Sequence, residues 1–258
     1  PIHSAQTAER HRAMGRDTHR GSSGTPTRKE IIFKEGKAMI KNRINESVIM
    51  EIPQKIVKAG NSKVSEYVAV VNMPAGFTCP ADAPCKNGCY ALKGRYLFDN
   101  VNLSSWKNLY YFNSDPVGFF RAIANELEKE ENLRPWKWFR WHETGDIVNY
   151  DYFCGMVELA RKFKRINFMA FTKKYDIVNK WIDNNGNLPR NLTIVFSVWG
   201  IYGIGVNKYN LPCSYVRMNG NSDQYIPNNA TECTGSCEVC GFKCWRLHKR
   251  QSVVFNKH

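Results

Sequence analysis

Seven of the nine cysteines fall into two short runs. Cys79, Cys85 and Cys89 are spaced C-x5-C-x3-C, and Cys233, Cys237, Cys240 and Cys244 are spaced C-x3-C-x2-C-x3-C. Three thiolates leave a metal centre with an open position, whereas four close it. Iron–sulfur cubanes are held by thiolates, and a cubane with three cysteines exposes one iron that can take an exogenous ligand. Structural zinc wants four ligands, so a zinc loop at the first group would need one more from elsewhere. The second group is dense, while tetrahedral zinc sites more often use two separated pairs with a longer insert. Its run of short gaps is closer to ferredoxin-type ligation than to a zinc ribbon, with zinc as the alternative. Two readings stay open at this level. Cys233, Cys237 and Cys240 alone could form an open three-thiolate site with Cys244 spare, and the two groups could share a single centre. An odd number of cysteines excludes a disulfide framework that uses them all. Cys154 reads as a buried small hydrophobe, and Cys213 lies in a loop ahead of a strand.

The second informative stretch is Arg140-Trp141-His142-Glu143-Thr144-Gly145-Asp146. Gly145 permits a sharp turn close to a ligand. Thr144 and Asp146 could hydrogen-bond an amine or sugar hydroxyls, or else serve as a buried cap where a strand turns into a helix. Arg140 and His142 have the same strand parity and are expected to project together into a lumen. Other strand ends offer Thr172 with Lys173, Ser197, and Arg217 with Asn219. In parallel strands these positions converge, and Lys173 and Arg217 would make the mouth attractive to anions. No Walker loop, Gly-x-Ser-x-Gly elbow or His-Glu-x-x-His helix is present. Trp136, Trp138 and Trp141 have strand spacing and read as core.

These groups need elements to position them. Residues 66–73 read as a buried strand. Asp115-Pro116 starts a helix, with a capping side chain before a proline in the first turn, and Phe120, Ile123, Ala124 and Leu127 form its apolar face. Strands are expected at 138–142, 166–172, 192–198, 214–218 and 252–255. Tyr152, Met156, Leu159, Ala160 and Phe163 form a helical stripe. Ile177, Val178, Trp181 and Ile182 form another, ended by Gly186. Alternating strands and helices argue for an α/β fold with parallel strands. Six strands are too few for the closed eight-stranded barrel, leaving a partial barrel or an open doubly wound sheet. Leu192, Ile194, Phe196 and Val198 share one face with the parity of Phe139 and Trp141, while Thr193, Val195 and Ser197 face the other way. One greasy face and one smaller, more polar face suit a partial (βα)6 barrel with a wet lumen, since a sheet between two helix layers wants both faces apolar.

The chain has 258 residues, enough for one domain with small additions. It carries 37 basic and 23 acidic residues, a net charge of +14, which favours anionic partners such as nucleic acid or nucleotides. No apolar run reaches the ~20 residues of a membrane span, and no secretory signal is visible. A cytoplasmic protein is expected, where clustered cysteines favour metal over disulfides. Residues 1–29 read as a flexible basic arm and 30–63 as an N-terminal extension. Residues 64–258 read as the βα domain, including the Cys-rich segment 231–246.

A three-cysteine loop after the first strand, a Gly-Asp turn after the second and a count of six strands together resemble the radical S-adenosylmethionine (SAM) superfamily. That resemblance implies a partial six-fold βα barrel with a 4Fe-4S cubane on Cys79, Cys85 and Cys89, whose open iron chelates SAM. It implies that Thr144-Gly145-Asp146 holds the methionine amine, and that cleavage of SAM yields a radical that abstracts hydrogen from a substrate. In that picture Arg140, His142 and Lys173 are catalytic candidates. Tyr90, Ser197 and Arg217 join the turn as cofactor-binding candidates, and Cys233, Cys237, Cys240 and Cys244 hold an auxiliary cluster or pin the C-terminal segment. The superfamily's usual spacing is C-x3-C-x2-C, from which the first loop departs, and no clear glycine-rich second SAM motif is visible. Cys79-Pro80 through Cys89-Tyr90-Ala91-Leu92, with Phe139 to His142 and Gly145-Asp146, also resemble a phage family called gene product eighty-eight over roughly 64–258. A nucleotide or nucleic-acid substrate fits the charge. The competing expectations are a zinc-stabilised nucleic-acid-binding protein and a non-catalytic iron–sulfur phage protein.

Overall fold

The computed structural model describes residues 51–131, 136–217 and 225–256. The basic arm, most of the N-terminal extension, Met218 and Asn219 lie outside the described residues. Eight strands form one sheet: β1 (Lys58–Ala59), β2 (Val68–Val71), β3 (Trp138–Trp141), β4 (Asn167–Thr172), β5 (Leu192–Ser197), β6 (Cys213–Arg217), β7 (Thr231–Glu232) and β8 (Ser252–Asn256). Four α-helices are described: α1 (Asp99–Ser114), α2 (Pro116–Glu131), α3 (Tyr150–Lys162) and α4 (Tyr175–Asn185). Among the described residues no helix is long and apolar enough to cross a membrane.

The strand order is β1-β2-β3-β4-β5-β6-β8-β7, and every pair is parallel except β1 with β2. The six parallel strands from β2 to β8 run in chain order apart from the edge strand β7. A doubly wound sheet reverses direction at a switch point; this one does not. Right-handed crossovers that always step the same way stack their helices on one face. The main core lies on that face and unites Ala69, Val71, Phe139, Trp141, Phe168, Ile194 and Phe196 of the strands with Trp106, Phe112, Phe119, Tyr152 and Trp181 of the helices.

The sheet is open but strongly curved. Phe171 on β4 meets Phe255 on β8 with ring centroids 5.5 Å apart, although β5 and β6 lie between them. In a flat sheet three strand spacings amount to roughly 14 Å. Six parallel strands are present as expected, yet among the described residues only β2, β3 and β4 are followed by α-helices. A loop follows β5, and β7 with the Cys-rich segment precedes β8.

The helices follow local rules with one exception. Asp115 Oδ1 accepts from Gly118 N–H at 2.8 Å and caps α2. Asn149 caps α3 through Tyr152 N–H, and Gly186 (φ 81°) ends α4. Helix α1 carries no such signal: its sequence DNVNLSSWKNLYYFNS is rich in weak helix formers. Burial of Trp106, Leu109 and Phe112 against the sheet overrides that propensity. Residues 56–59 belong to the sheet domain rather than to a separate extension. Ile56 and Val57 are buried in the main core, and their N–H groups donate to Glu126 Oε1 and Oε2 at 2.7 and 2.9 Å.

The expected wet lumen is not there in the lower half of the concave face. Val68, Val70, Met169 and Val195 are buried beneath Trp245, with Trp138, Phe242, Cys237, Cys244 and Leu247 packed around them. The Cys-rich segment returns across the sheet and fills it. Trp245 Nε1 donates to the Phe139 carbonyl at 2.9 Å, and Thr193 Oγ1 donates to the Trp245 carbonyl at 2.8 Å, so this one residue spans β3 to β5.

Candidate functional site

The carboxyl ends of β2, β3 and β4 are tied by a polar clamp. Asn72 Oδ1 accepts from the N–H groups of Glu143 and Thr144 at 2.8 and 3.2 Å. Thr144 Oγ1 donates to the Met73 carbonyl at 3.0 Å. Gly145 sits at φ 80°, and a Cβ there would lie 2.6 Å from the Met73 carbonyl oxygen and 2.7 Å from Thr78 Oγ1. Only glycine fits. Asp146 N–H donates to Thr78 Oγ1 at 2.9 Å. The buried Asp146 carboxylate accepts from Thr172 Oγ1 at 2.6 Å, Lys173 N–H at 2.9 Å and Ile147 N–H at 2.7 Å. Burial raises its pKa, opposed by the Thr172, Lys173 and Ile147 hydrogen bonds and the Lys173 charge.

Three expectations change here. Thr144, Gly145 and Asp146 spend their side-chain oxygens and their space on holding loops together, so they serve as the buried cap rather than an amine site. His142 does not accompany Arg140 onto the concave face. Its φ of 59° breaks the strand alternation, and its ring turns to Tyr152 of α3, with Nε2 and the Tyr152 hydroxyl 3.1 Å apart. Burial, with the Arg140 charge, holds its pKa down at about 3, so it stays neutral. Arg217 pairs with Glu232 on β7 at 2.8 Å near the surface.

Other expected positions do come together. Lys173 Nζ donates to Ser197 Oγ at 2.9 Å across the β4 and β5 ends, and the Tyr175 hydroxyl donates to the Ser197 carbonyl at 2.5 Å. Sequence reading passed over Asn72, Thr78, Glu143 and Tyr175 as site-forming residues. Thr78 adjoins Cys79, but no local pattern links Asn72 to Glu143.

The three-cysteine loop runs over these strand ends in short 3-10 turns at Pro84–Gly88, Tyr90–Leu92 and Gly94–Leu97. Burial pushes the Cys79 thiol up to about 11, and the nearby Asp146, Cys85 and Cys89 act in the same direction. The loop reaches the β5–β6 connection, where the Tyr202 hydroxyl donates to Asp82 Oδ1 at 3.2 Å. Tyr90 donates to the Glu143 carbonyl and lies in the field of Arg140, Cys89 and Glu143. A cleft of about 40 Å³ between this loop and α1, lined by Ala75, Ala91, Leu92, Tyr96, Leu97 and Thr144 among others, has room only for water-sized molecules and is too small for an organic cofactor.

The four-cysteine loop lies on the concave face. Cys237 N–H donates to the Lys63 carbonyl at 2.9 Å, Cys233 N–H to the Val254 carbonyl at 2.9 Å, and Ser65 Oγ to Glu238 Oε1 at 2.5 Å. The loop folds back through left-handed residues Gly235, Gly241 and Phe242. Burial raises Cys237 to about 11 and Cys244 to about 12, with the Arg140 charge opposing and the other cysteines of the group adding. All nine cysteines are free and partly buried. Among the described residues, no three His, Cys, Asp or Glu side chains are grouped as a metal-holding set. The backbone therefore gathers each group of thiols without converging the sulfurs on a point.

A family model for gene product 88 matches residues 48–211, nearly two thirds of the chain. The chain belongs to the gene product 88 family. The match covers β1 to β5 and the three-cysteine loop, and it ends before the four-cysteine loop, short of the 64–258 span that the motifs suggested. No curated protein and no solved structure matches.

Proposed function

We propose that this gene product 88 protein is an iron–sulfur protein with the partial-barrel architecture of radical SAM enzymes, acting on a nucleotide or nucleic-acid substrate. The observation that carries the reading is placement. A singly wound, strongly curved sheet puts a three-thiol loop across the carboxyl ends of its parallel strands, where α/β folds bind ligands. What supports the reading is donor type: the thiols are free and partly buried, and seven of them fall in two short runs of the sequence. A cubane held by Cys79, Cys85 and Cys89 would supply one-electron reduction of SAM at its open iron. The chain's own residues support that chemistry in definite ways. The Asp146 clamp fixes the loop base against β4. The Lys173 ammonium, half-buried beside Ser197, offers a positive charge to an anionic substrate at the mouth. The methionine amine is not assigned to Thr144, Gly145 or Asp146.

Zinc at Cys233, Cys237, Cys240 and Cys244 is a second reading, favoured by the structural position of that loop as the filling of the concave face. Metal and acid-labile sulfide measured on anaerobically purified protein separate the two. Iron with sulfide is expected, and zinc alone sinks the iron–sulfur reading. With a strong reductant and SAM, the protein should release 5′-deoxyadenosine, and C79S should not. A wild-type protein that holds iron yet leaves SAM intact would overturn the enzymatic part.

A further inference from the structure

The amino-terminal end of the sheet, away from the mouth, carries a row of exposed cations. Lys137 immediately precedes β3, Lys164 and Arg165 lie in the turn before β4, Arg190 in the turn before β5, and Lys249 and Arg250 just before β8. All six are exposed. Backbone pairing sets these turns side by side. The Lys137 carbonyl accepts from Asn167 N–H at 2.9 Å, the Asn191 carbonyl from Phe168 N–H at 2.7 Å, and the Asn210 carbonyl, ahead of β6, from Arg250 N–H at 2.8 Å. Asn191 Nδ2 shares its hydrogens among the Ala160, Phe163 and Ile166 carbonyls at 2.9, 3.1 and 2.9 Å. The turns that carry Arg165 and Arg190 are thus pinned to each other. Nearby acids are already taken: Glu158, Glu128 and Asp183 pair with Arg161, Lys162 and Lys208. None of the six cations is in an ion pair among the described residues. Like charges held this close repel one another, and an outside anion would relieve them.

We propose that this edge is a docking surface for nucleic acid, which it grips by the phosphate backbone without reading bases. From β3 to β8 there are four strand spacings, roughly 19 Å along the sheet, so the six cations give about one charge per 3 Å. Each strand of a duplex presents one phosphate per ~3.4 Å. An extended acidic peptide matches less well, since its side chains return to one face only every ~6.6 Å. Phosphate contacts fix position and carry no sequence information, whereas reading bases takes groove contacts or aromatic platforms. The tryptophans near this edge are covered: Phe242 stacks on Trp138 at 4.8 Å, Arg246 lies over the same ring at 5.7 Å, and Trp245 is buried. The surface is separate from Lys173 and the three-cysteine loop, and it does not depend on what the cysteines bind.

The test titrates the full chain into a fluorescently labelled random-sequence DNA duplex across a salt series and reads anisotropy. Removing two cations in R165Q/R190Q should weaken binding about 10- to 100-fold at about 0.1 M salt and make the salt slope shallower by about 1.8. K137Q/K249Q, spread along the row, should do the same, which guards against local misfolding in the first variant. K93Q/R95Q takes the same charge from the three-cysteine loop and should stay near wild type. Equal weakening by all three variants would show that net charge alone attracts the duplex and would overturn the proposal. So would wild-type protein that leaves the duplex free. Poly-glutamate that competes as well as the duplex, charge for charge, would assign the edge to an acidic protein instead. Binding lost in K173Q but kept in R165Q/R190Q would place the nucleic acid at the mouth, overturning the docking surface while supporting the substrate reading. Metal and sulfide content is read separately, so the iron–sulfur reading and this one fail independently.

Discussion

The two cysteine loops are fixed to the same sheet by opposite means. The four-cysteine loop is held by apolar burial: Trp245 is 3 % exposed, and Phe242 lies flat on Trp138. The three-cysteine loop rests on hydrogen bonds, from Asp146 N–H to Thr78 Oγ1 and from Thr144 Oγ1 to the Met73 carbonyl, with Tyr90 and Leu97 left about half exposed. Burial of aromatic surface yields a rigid plug that is insensitive to pH. A polar clamp fixes the base of the loop with less buried apolar area. Under the proposed function, the contrast would put a structural role below and a reactive one above.

The largest test of the contrast is Trp245→Ala. It removes the residue that fills the concave face and its hydrogen bond to the Phe139 carbonyl. The cost should be about 3–5 kcal/mol in denaturant unfolding, and the change should also loosen the four-cysteine loop. A loss below ~1 kcal/mol would mean that the plug is not seated by this side chain. Next comes pH. The folded-state pKa of His142 is about 3, below its ordinary value of about 6.5, so the unfolded chain binds the proton more readily. The stabilisation is complete above that ordinary value and should fall by about 1.4 kcal/mol per pH unit as pH drops from there toward the folded value. His142→Asn, which tolerates the left-handed backbone, should flatten that slope. An unchanged slope would show that His142 is not the group responsible.

A smaller effect is expected at Gly145→Ala. The added Cβ must push against the Met73 carbonyl and Thr78 at a positive φ, costing about 1–3 kcal/mol. The damage should be local to the upper clamp, with metal retention at the four-cysteine loop unchanged; equal loss from both loops would break the comparison. Smallest is Arg217→Ala. Its ion pair with Glu232 is exposed, and removal should change stability by less than ~1 kcal/mol, as read by thermal unfolding.

Much of the framework was legible along the chain because it depends on local pattern. Period-two alternation in 192–198 and helical stripes at Tyr152 to Phe163 and Ile177 to Ile182 correspond to elements in the structure, as do the Asp115-Pro116 start and the Gly186 stop. Helix α1 has no local signal because its stability is tertiary: weak formers are held by Trp106, Leu109 and Phe112 in the core. Alternation points His142 to the wrong face because the strand ends at Trp141 and φ turns positive at the next residue. The clamp was half legible. Gly145-Asp146 announced a turn, but the partners of Asp146 on β4 lie 26 and 27 residues away, and spacing carries no information about them.

The sequence by itself determined which residues alternate in or out, where helices start and stop, and that seven thiols come in a three and a four. Only the tertiary structure decided that the four-cysteine loop folds back over the concave face, with Trp245 tied to both β3 and β5. The physical reason is that periodicity is set within a few residues, whereas the closing of a curved sheet over Trp245 depends on strands more than a hundred residues apart in the chain.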